Sequence, residues 1–147
     1  MFSYVTEELP LLVERYFHIC PERRSIMGFS MGGHGALIVA AKLPHRYRSV
    51  TSISPISNSI TCEAFCKRSF EAFFGSVEGG AEYSLENILN SKGNSLKFPP
   101  GFIDLGSTDE FADILDWPRL IKALRTNGHE NFPVNYHEGY DHSYSFV

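Results

Sequence analysis

Residues 24–36 read RSIMGFSMGGHGA and contain Gly28-Phe29-Ser30-Met31-Gly32, a Gly-x-Ser-x-Gly pattern. A serine hydroxyl attacks a carbonyl carbon at neutral pH only when a base takes its proton. The pattern is short, and its context gives it weight. The apolar run Ser25-Ile26-Met27 precedes it and the apolar stretch Gly33 to Leu43 follows. That order describes a strand turning tightly into a helix, which lifts the serine hydroxyl above the edge of a sheet. Strand and helix nearly touch in such a turn, so it needs small neighbours. Gly28 and Gly32 flank Ser30, and Gly33 and Gly35 are expected to keep the first helical turn thin. The positive end of the helix would face Ser30. The backbone N–H of Met31 would then donate to a developing oxyanion.

Nucleophilic attack also needs a base and an orienting acid. In this strand-turn-helix context their chain order is Ser, then Asp or Glu, then His. The stretch DLGSTDEF at 104–111 offers Asp104 and Asp109. Asp104 falls inside an apolar strand, where a carboxylate would be desolvated. Asp109 falls in the loop just beyond and is the favoured acid. Asp113 and Asp116, further on, read as helix N-terminal carboxylates. The stretch EGYDHSYSF at 138–146 places His142 in a loop after a strand, where a base must hang over Ser30. His137 is still in the strand, and His34 projects from the helix after Ser30. His18, His45 and His129 lie in polar turns and read as solvated side chains. The expected constellation is Ser30, Asp109 and His142.

The elements that must position these residues alternate along the chain. Thr6 to Tyr16 reads as an amphipathic helix with Thr6 as N-cap, Pro10 in its first turn, and Leu9, Leu12, Val13 and Tyr16 on one side. Strands are expected at Ser25–Met27, Ser49–Ile56, Gly101–Leu105 and Pro133–His137. One helix runs from Gly33 to Leu43, stopped by Pro44. Another runs from Ile114 to Thr126, closed by Asn127-Gly128. Alternation of this kind predicts an α/β fold with a parallel sheet covered on both faces. A long insertion at 58–98 carries Phe65, Phe70, Phe73 and Phe74 on a predicted helix. Its aromatic side can pack on the sheet, line a substrate pocket, or do both.

With 147 residues, 43% of them apolar and 20% charged, the chain has the composition of one globular domain. A net charge of -4 with no run of Lys or Arg argues against nucleic acid and anionic membrane as partners. The longest apolar stretch, ALIVAA at 36–41, is far too short to span a bilayer. The opening MFSYVTEELP has acidic residues where a signal peptide needs basic ones, which predicts a cytoplasmic location. Cys20, Cys62 and Cys66 make no disulfide framework. Cys62 and Cys66 are spaced to share a helix face, but no histidine beside them completes a metal site.

The stretches SYVTEELP at 3–10, GFSMGGHGA at 28–36, DLGSTDEF at 104–111 and EGYDHSYSF at 138–146 together resemble the S-formylglutathione hydrolases, the esterase D family of α/β-hydrolases. The resemblance runs along nearly the whole chain. It implies a cytoplasmic serine thioesterase that splits S-formylglutathione into formate and glutathione in formaldehyde detoxification, with side activity on small carboxylic esters. It also implies a small-molecule substrate, homodimers and no cofactor. Carried over by motif, Ser30 is the nucleophile, Asp109 the acid and His142 the base. Two other readings stand beside it: a general carboxylesterase or acyltransferase of the same superfamily, and a hydrolase-derived binding protein without catalysis.

Three departures from the family pattern carry expectations of their own. The family usually has His before the nucleophile, where this chain has Phe29; that position is expected to face away from the chemistry and to alter packing only. The family's Pro-Trp-Gly stretch after the second strand is here EAFC at 63–66, which bears on preference for the glutathione thioester. Members also carry a long segment ahead of the point matching Met1, and a final helix beyond the point matching Val147. The expectation is therefore a single domain with a partial α/β-hydrolase fold: a parallel half-sheet with flanking helices, and Ser25–Met27 at an open edge. Losing a second oxyanion donor from that earlier segment would cost on the order of 100- to 1,000-fold in rate, leaving this chain weakly active or inactive.

Overall fold

The computed structural model describes residues 1–147, except for the side chains of residues 63–65 and 94. Four short runs become strands: β1 (Ser25–Phe29), β2 (Ser49–Ile53), β3 (Gly101–Gly106) and β4 (Val134–His137). They form one parallel sheet in the order β1-β2-β3-β4, with β1 at an edge as expected. Each strand returns through helical chain, and the strand ends stay nearly level. Phe29 pairs with Ile53, Ile53 with Asp104, and Gly106 with His137. The loops after β1, β3 and β4 therefore open at one edge of the sheet.

Side chains alternate across a strand. Ile26, Val50, Ile103, Leu105 and Val134 point to the face that carries the core. On that face lie α2 (Met31–Lys42), α4 (Leu85–Lys92) and α6 (Trp117–Thr126). Ala36 to Ala41 are all buried, so α2 is apolar almost all round and packs on β1 and β2, while α4 bridges α2 and α6. Leu37, Leu85, Leu89 and Leu105 are wholly buried, which is worth about 1.5–3 kcal/mol for each. The opposite face differs from the expected two-sided cover. There the register aligns Met27, Thr51 and Phe102 in one row, and Met27 and Phe102 are exposed. Among the described residues the helices in contact with the core lie on one face only.

Thr6 is not a cap. It lies within a π-helical turn (Tyr4–Glu8) that runs into α1 (Leu9–Tyr16), where it is buried and donates from Oγ1 to the Phe2 carbonyl at 3.0 Å. Pro10 does sit in the first turn of α1. The apolar side of α1 remains open, with Leu9, Leu12 and Tyr16 exposed, and a Glu14–Arg24 ion pair ties the helix to the start of β1. The predicted strand Ser49–Ile56 stops at Ile53, because Ser54 takes a positive φ of 40° and Pro55 follows.

The helix expected over 114–126 is two helices, α5 (Ala112–Leu115) and α6, broken at Asp116 in the left-handed region (φ 52°). Leu115 and Trp117 are both buried. Two residues apart on a straight helix they would point about 200° from one another, and the break lets both enter the core. Trp117 Nε1 donates to the Pro55 carbonyl at 3.0 Å. Asn127 caps α6, and Gly128 follows with φ 83° as expected.

The described aromatic side chains of helix α3 (Glu63–Phe74) pack away from the sheet. Phe70 meets Phe74 edge-on at 5.5 Å and Phe74 stacks on Tyr83 at 5.5 Å, so α3 packs against the 3-10 turn Glu78–Tyr83. Phe73 is exposed. The side chain of Phe65, and those of Glu63 and Ala64 in the altered 63–66 segment, lie outside the described residues. Cys62 and Cys66 are buried one helical turn apart, and burial, with Cys62 beside it, pushes the Cys66 thiol up to about 11. Among the described residues no cluster of three or more His, Cys, Asp or Glu is placed to hold a metal, and no helix is long and apolar enough to cross a membrane.

Candidate active site

Ser30 joins β1 to α2 with φ 56° and ψ -119°, a strained conformation for a residue with a Cβ, costing about 1–3 kcal/mol. Its N–H donates to the Ile53 carbonyl at 2.8 Å, and its carbonyl accepts the His34 N–H at 3.1 Å. The turn closes only because Gly28 lacks a side chain: a Cβ there would lie 2.1 Å from the Gly32 carbonyl oxygen. A Cβ on Gly33 would lie 2.9 Å from the Ile53 carbonyl oxygen. Gly32 and Gly35 face open space, so the expected need for small residues holds at Gly28 and Gly33 and not at the other two. Met31 is the first residue of α2, where a backbone N–H has no partner within the helix.

The loops after β3 and β4 are zipped together. Ser107 N–H donates to the His137 carbonyl, Thr108 N–H to the Tyr140 carbonyl, each at 3.0 Å, and Gly139 N–H to Ser107 Oγ at 2.9 Å. This seam brings Asp109 and His142 together. His142 Nδ1 donates to Asp109 Oδ2 at 2.7 Å, and Phe111 N–H donates to the other carboxylate oxygen at 2.9 Å. The Asp109 carboxylate is wholly buried. With Nδ1 carrying the ring proton, Nε2 is left as an acceptor. It lies 2.9 Å from Ser30 Oγ. Ser30, His142 and Asp109, read from the sequence as one group, form one continuous hydrogen-bonded chain.

Two residues beside this chain escaped the sequence reading. The Glu110 carboxylate accepts the backbone N–H of His142 at 3.1 Å; its place beside Asp109 was the signal available. Phe29 was expected to face away, but its ring centroid lies 4.6 Å from that of His142. Phe29 is the last residue of β1, paired with Ile53, and the loop after β4 that carries His142 comes over that end of the strand.

The remaining candidates lie elsewhere. Asp104 accepts from Asn135 Nδ2 at 2.8 Å and sits 3.0 Å from His137 Nε2, so its partners are on β4. Asp113 is exposed in the first turn of α5, and Asp116 makes no side-chain cap bond. His34 is buried between the Ile56 and Tyr83 carbonyls, at 2.9 and 3.0 Å. His18 and His45 are exposed as expected. His129 is not fully solvated: it is half-buried with its ring edge-on to Phe98 at 5.3 Å, and burial lowers its pKa against the pull of Glu130.

Residues 2–146 match the Esterase family model, described as "Putative esterase". The chain belongs to the esterase family. Over its whole length the chain is 39% identical to the S-formylglutathione hydrolase of Mus musculus and 36% identical to that of Paracoccus denitrificans, spanning 52% and 51% of those proteins. Its fold is similar to that of an S-formylglutathione hydrolase from Agrobacterium tumefaciens, with a TM-score of 0.87 and 33% identity over 99% of this chain and 52% of the other. An S-formylglutathione hydrolase from Staphylococcus aureus, 22% identical with a TM-score of 0.76 over 99% of this chain and 58% of that one, shares the fold. The chain thus spans about half the length of the curated relatives it matches. Its parallel sheet with helices on the core face is an α/β-hydrolase-type arrangement, and a hydroxyl, an imidazole and a buried carboxylate in series can move a proton from an attacking oxygen to a leaving group.

Proposed function

We propose that this protein is a serine thioesterase that hydrolyses S-formylglutathione to formate and glutathione, with Ser30 as nucleophile, His142 as base and Asp109 as orienting acid. The observation that carries the reading is the unbroken chain from Ser30 Oγ through both nitrogens of His142 to the buried Asp109 carboxylate. The similarity to S-formylglutathione hydrolases over the full length of this chain supports the substrate class.

In the first half-reaction Nε2 takes the hydroxyl proton as Oγ bonds to the thioester carbon. The Met31 N–H, at the positive end of α2, stabilises the resulting oxyanion. The carbon–sulfur bond then breaks and the leaving thiolate receives the proton from Nε2. In the second half a water gives its proton to Nε2 and its oxygen to the acyl carbon. Formic acid leaves as the proton returns to Oγ, and it ionises to formate by giving its remaining proton to solvent. Asp109 stays ionised throughout and stabilises the imidazolium that forms in each half.

The 147 residues are proposed to form one domain, the part of the hydrolase that carries the triad, acting in the cytoplasm on a small molecule and as a homodimer. The test is S-formylglutathione hydrolysis by the purified chain beside Ser30→Ala and a full-length relative, with circular dichroism on each and labelling by a fluorophosphonate. Ser30-dependent labelling is expected. Turnover is expected on the order of 100- to 1,000-fold below the relative if a second oxyanion donor lies outside this span. A folded chain that fluorophosphonate leaves unlabelled at Ser30 would sink the proposal. Faster turnover of p-nitrophenyl acetate than of S-formylglutathione would point to a general carboxylesterase instead.

A further inference from the structure

The His142 ring turns about its Cβ–Cγ bond, and its two hydrogen bonds, Nδ1 to Asp109 and Nε2 to Ser30, oppose that turning. Groups against the faces and edges of the ring oppose it as well. Phe29 supplies one: its ring is tilted 36° to the imidazole with centroids 4.6 Å apart. Phe111 supplies the other, edge-on at 82° and 5.1 Å. Phe29 is itself backed by the Tyr144 ring at 5.4 Å and held in β1 opposite Ile53.

We propose that Phe29 is a positioning residue that keeps the His142 imidazole aimed during the second half of the reaction. This inference rests on the triad assignment above. Once Ser30 Oγ carries the acyl group it has no proton to give, and Nε2 loses the Ser30 bond. Asp109 then opposes turning of the ring by a single hydrogen bond, and the slot between Phe29 and Phe111 supplies the remaining resistance that keeps Nε2 toward the acyl carbon. Water must pass its proton to that nitrogen while its oxygen bonds to the carbon; the proton then moves to Oγ as the acyl C–O bond breaks. Acylation starts with both hydrogen bonds in place and depends on the slot less. Removing the aromatic wall should therefore slow deacylation more than acylation.

The experiment uses p-nitrophenyl acetate, whose burst of p-nitrophenolate reports acylation and whose steady state reports deacylation, on the wild type, Phe29→Leu, Phe29→Tyr and Ser30→Ala. Aromatic contacts of this kind shift rates by roughly three- to tenfold. Phe29→Leu is expected to lower the steady-state kcat by about that factor and KM with it, leaving kcat/KM and the burst rate within about twofold. Phe29→Tyr should restore the steady state. Equal slowing of burst and steady state in Phe29→Leu, or no recovery in Phe29→Tyr, would reduce Phe29 to a packing residue and overturn the inference. If Leu unfolds the strand edge, Phe29→Met gives the same ringless comparison. Undiminished turnover in Ser30→Ala would overturn the triad reading itself, and this inference with it.

Discussion

Replacing Gly28 with Ala tests whether the elbow is built by contact between β1 and α2. The added Cβ would stand 2.1 Å from the Gly32 carbonyl oxygen, 2.3 Å from its carbon and 2.8 Å from the Gly33 nitrogen. All three are backbone atoms, so no side chain can rotate away. Ordinary contact begins near 3.4 Å, and the first turn of α2 must withdraw by about 1.3 Å to reach it. If the helix resists, the overlap costs about 3 kcal/mol or more of stability. If it yields, Ser30 moves with it. A displacement of about 1 Å at a reacting group costs on the order of 100-fold in rate. Urea unfolding and the fluorophosphonate labelling rate of Ser30 read the two outcomes, and one of them must appear. Gly35→Ala is the control: on α2 but facing open space, its Cβ should stabilise by about 0.5–1 kcal/mol with labelling unchanged. A Gly28→Ala protein with wild-type stability and wild-type labelling would refute the argument.

Two further outcomes follow from the packing. Burial lowers the pKa of His34 below its ordinary 6.5, against the opposite pull of the Tyr83 and Ile56 carbonyls. The unfolded chain then takes up a proton near pH 6.5 that the folded chain resists, so stability should fall as pH drops below 6.5 and level off under the folded-state value. Urea midpoints between pH 7.5 and 5 for the wild type and His34→Asn check this, and an equal pH slope in the two would remove His34 as a cause. Trp117→Phe deletes the buried donor to the Pro55 carbonyl and should cost about 1–3 kcal/mol in the same unfolding assay; a loss under about 0.5 kcal/mol would mean another donor reaches Pro55.

The residues that meet at the site were legible because each follows a strand end. Gly28 before Ser30, Gly106 before Asp109 and Gly139 before His142 punctuate the sequence where backbone must turn or approach closely. Chain order then left Asp109 and His142 as partners for Ser30. Phe29 was misread because its neighbours in sequence do not show which ring it meets: His142 arrives from the loop after β4, far along the chain. The break at Asp116 carried a mark that the apolar period of 114–126 masked: Pro118 sits in the first turn of α6, where a new helix starts. Sheet cover was misjudged because periodicity identifies apolar sides, as on α1 and along Met27 and Phe102, and does not name what meets them.

The sequential order β1-β2-β3-β4 also sets a clock. Ser30 leaves the ribosome ahead of the imidazole it faces, which is 112 residues further along the chain. At about 5–20 residues per second, roughly 6–22 seconds separate their synthesis. Through that interval the serine hydroxyl has no base within reach and stays chemically ordinary, even if β1, α2 and β2 have already paired. The hydrogen-bonded chain is completed only when β4 docks beside β3 and the two loops zip. A nascent chain stalled after β3 would thus carry the whole elbow and yet be inert to fluorophosphonate.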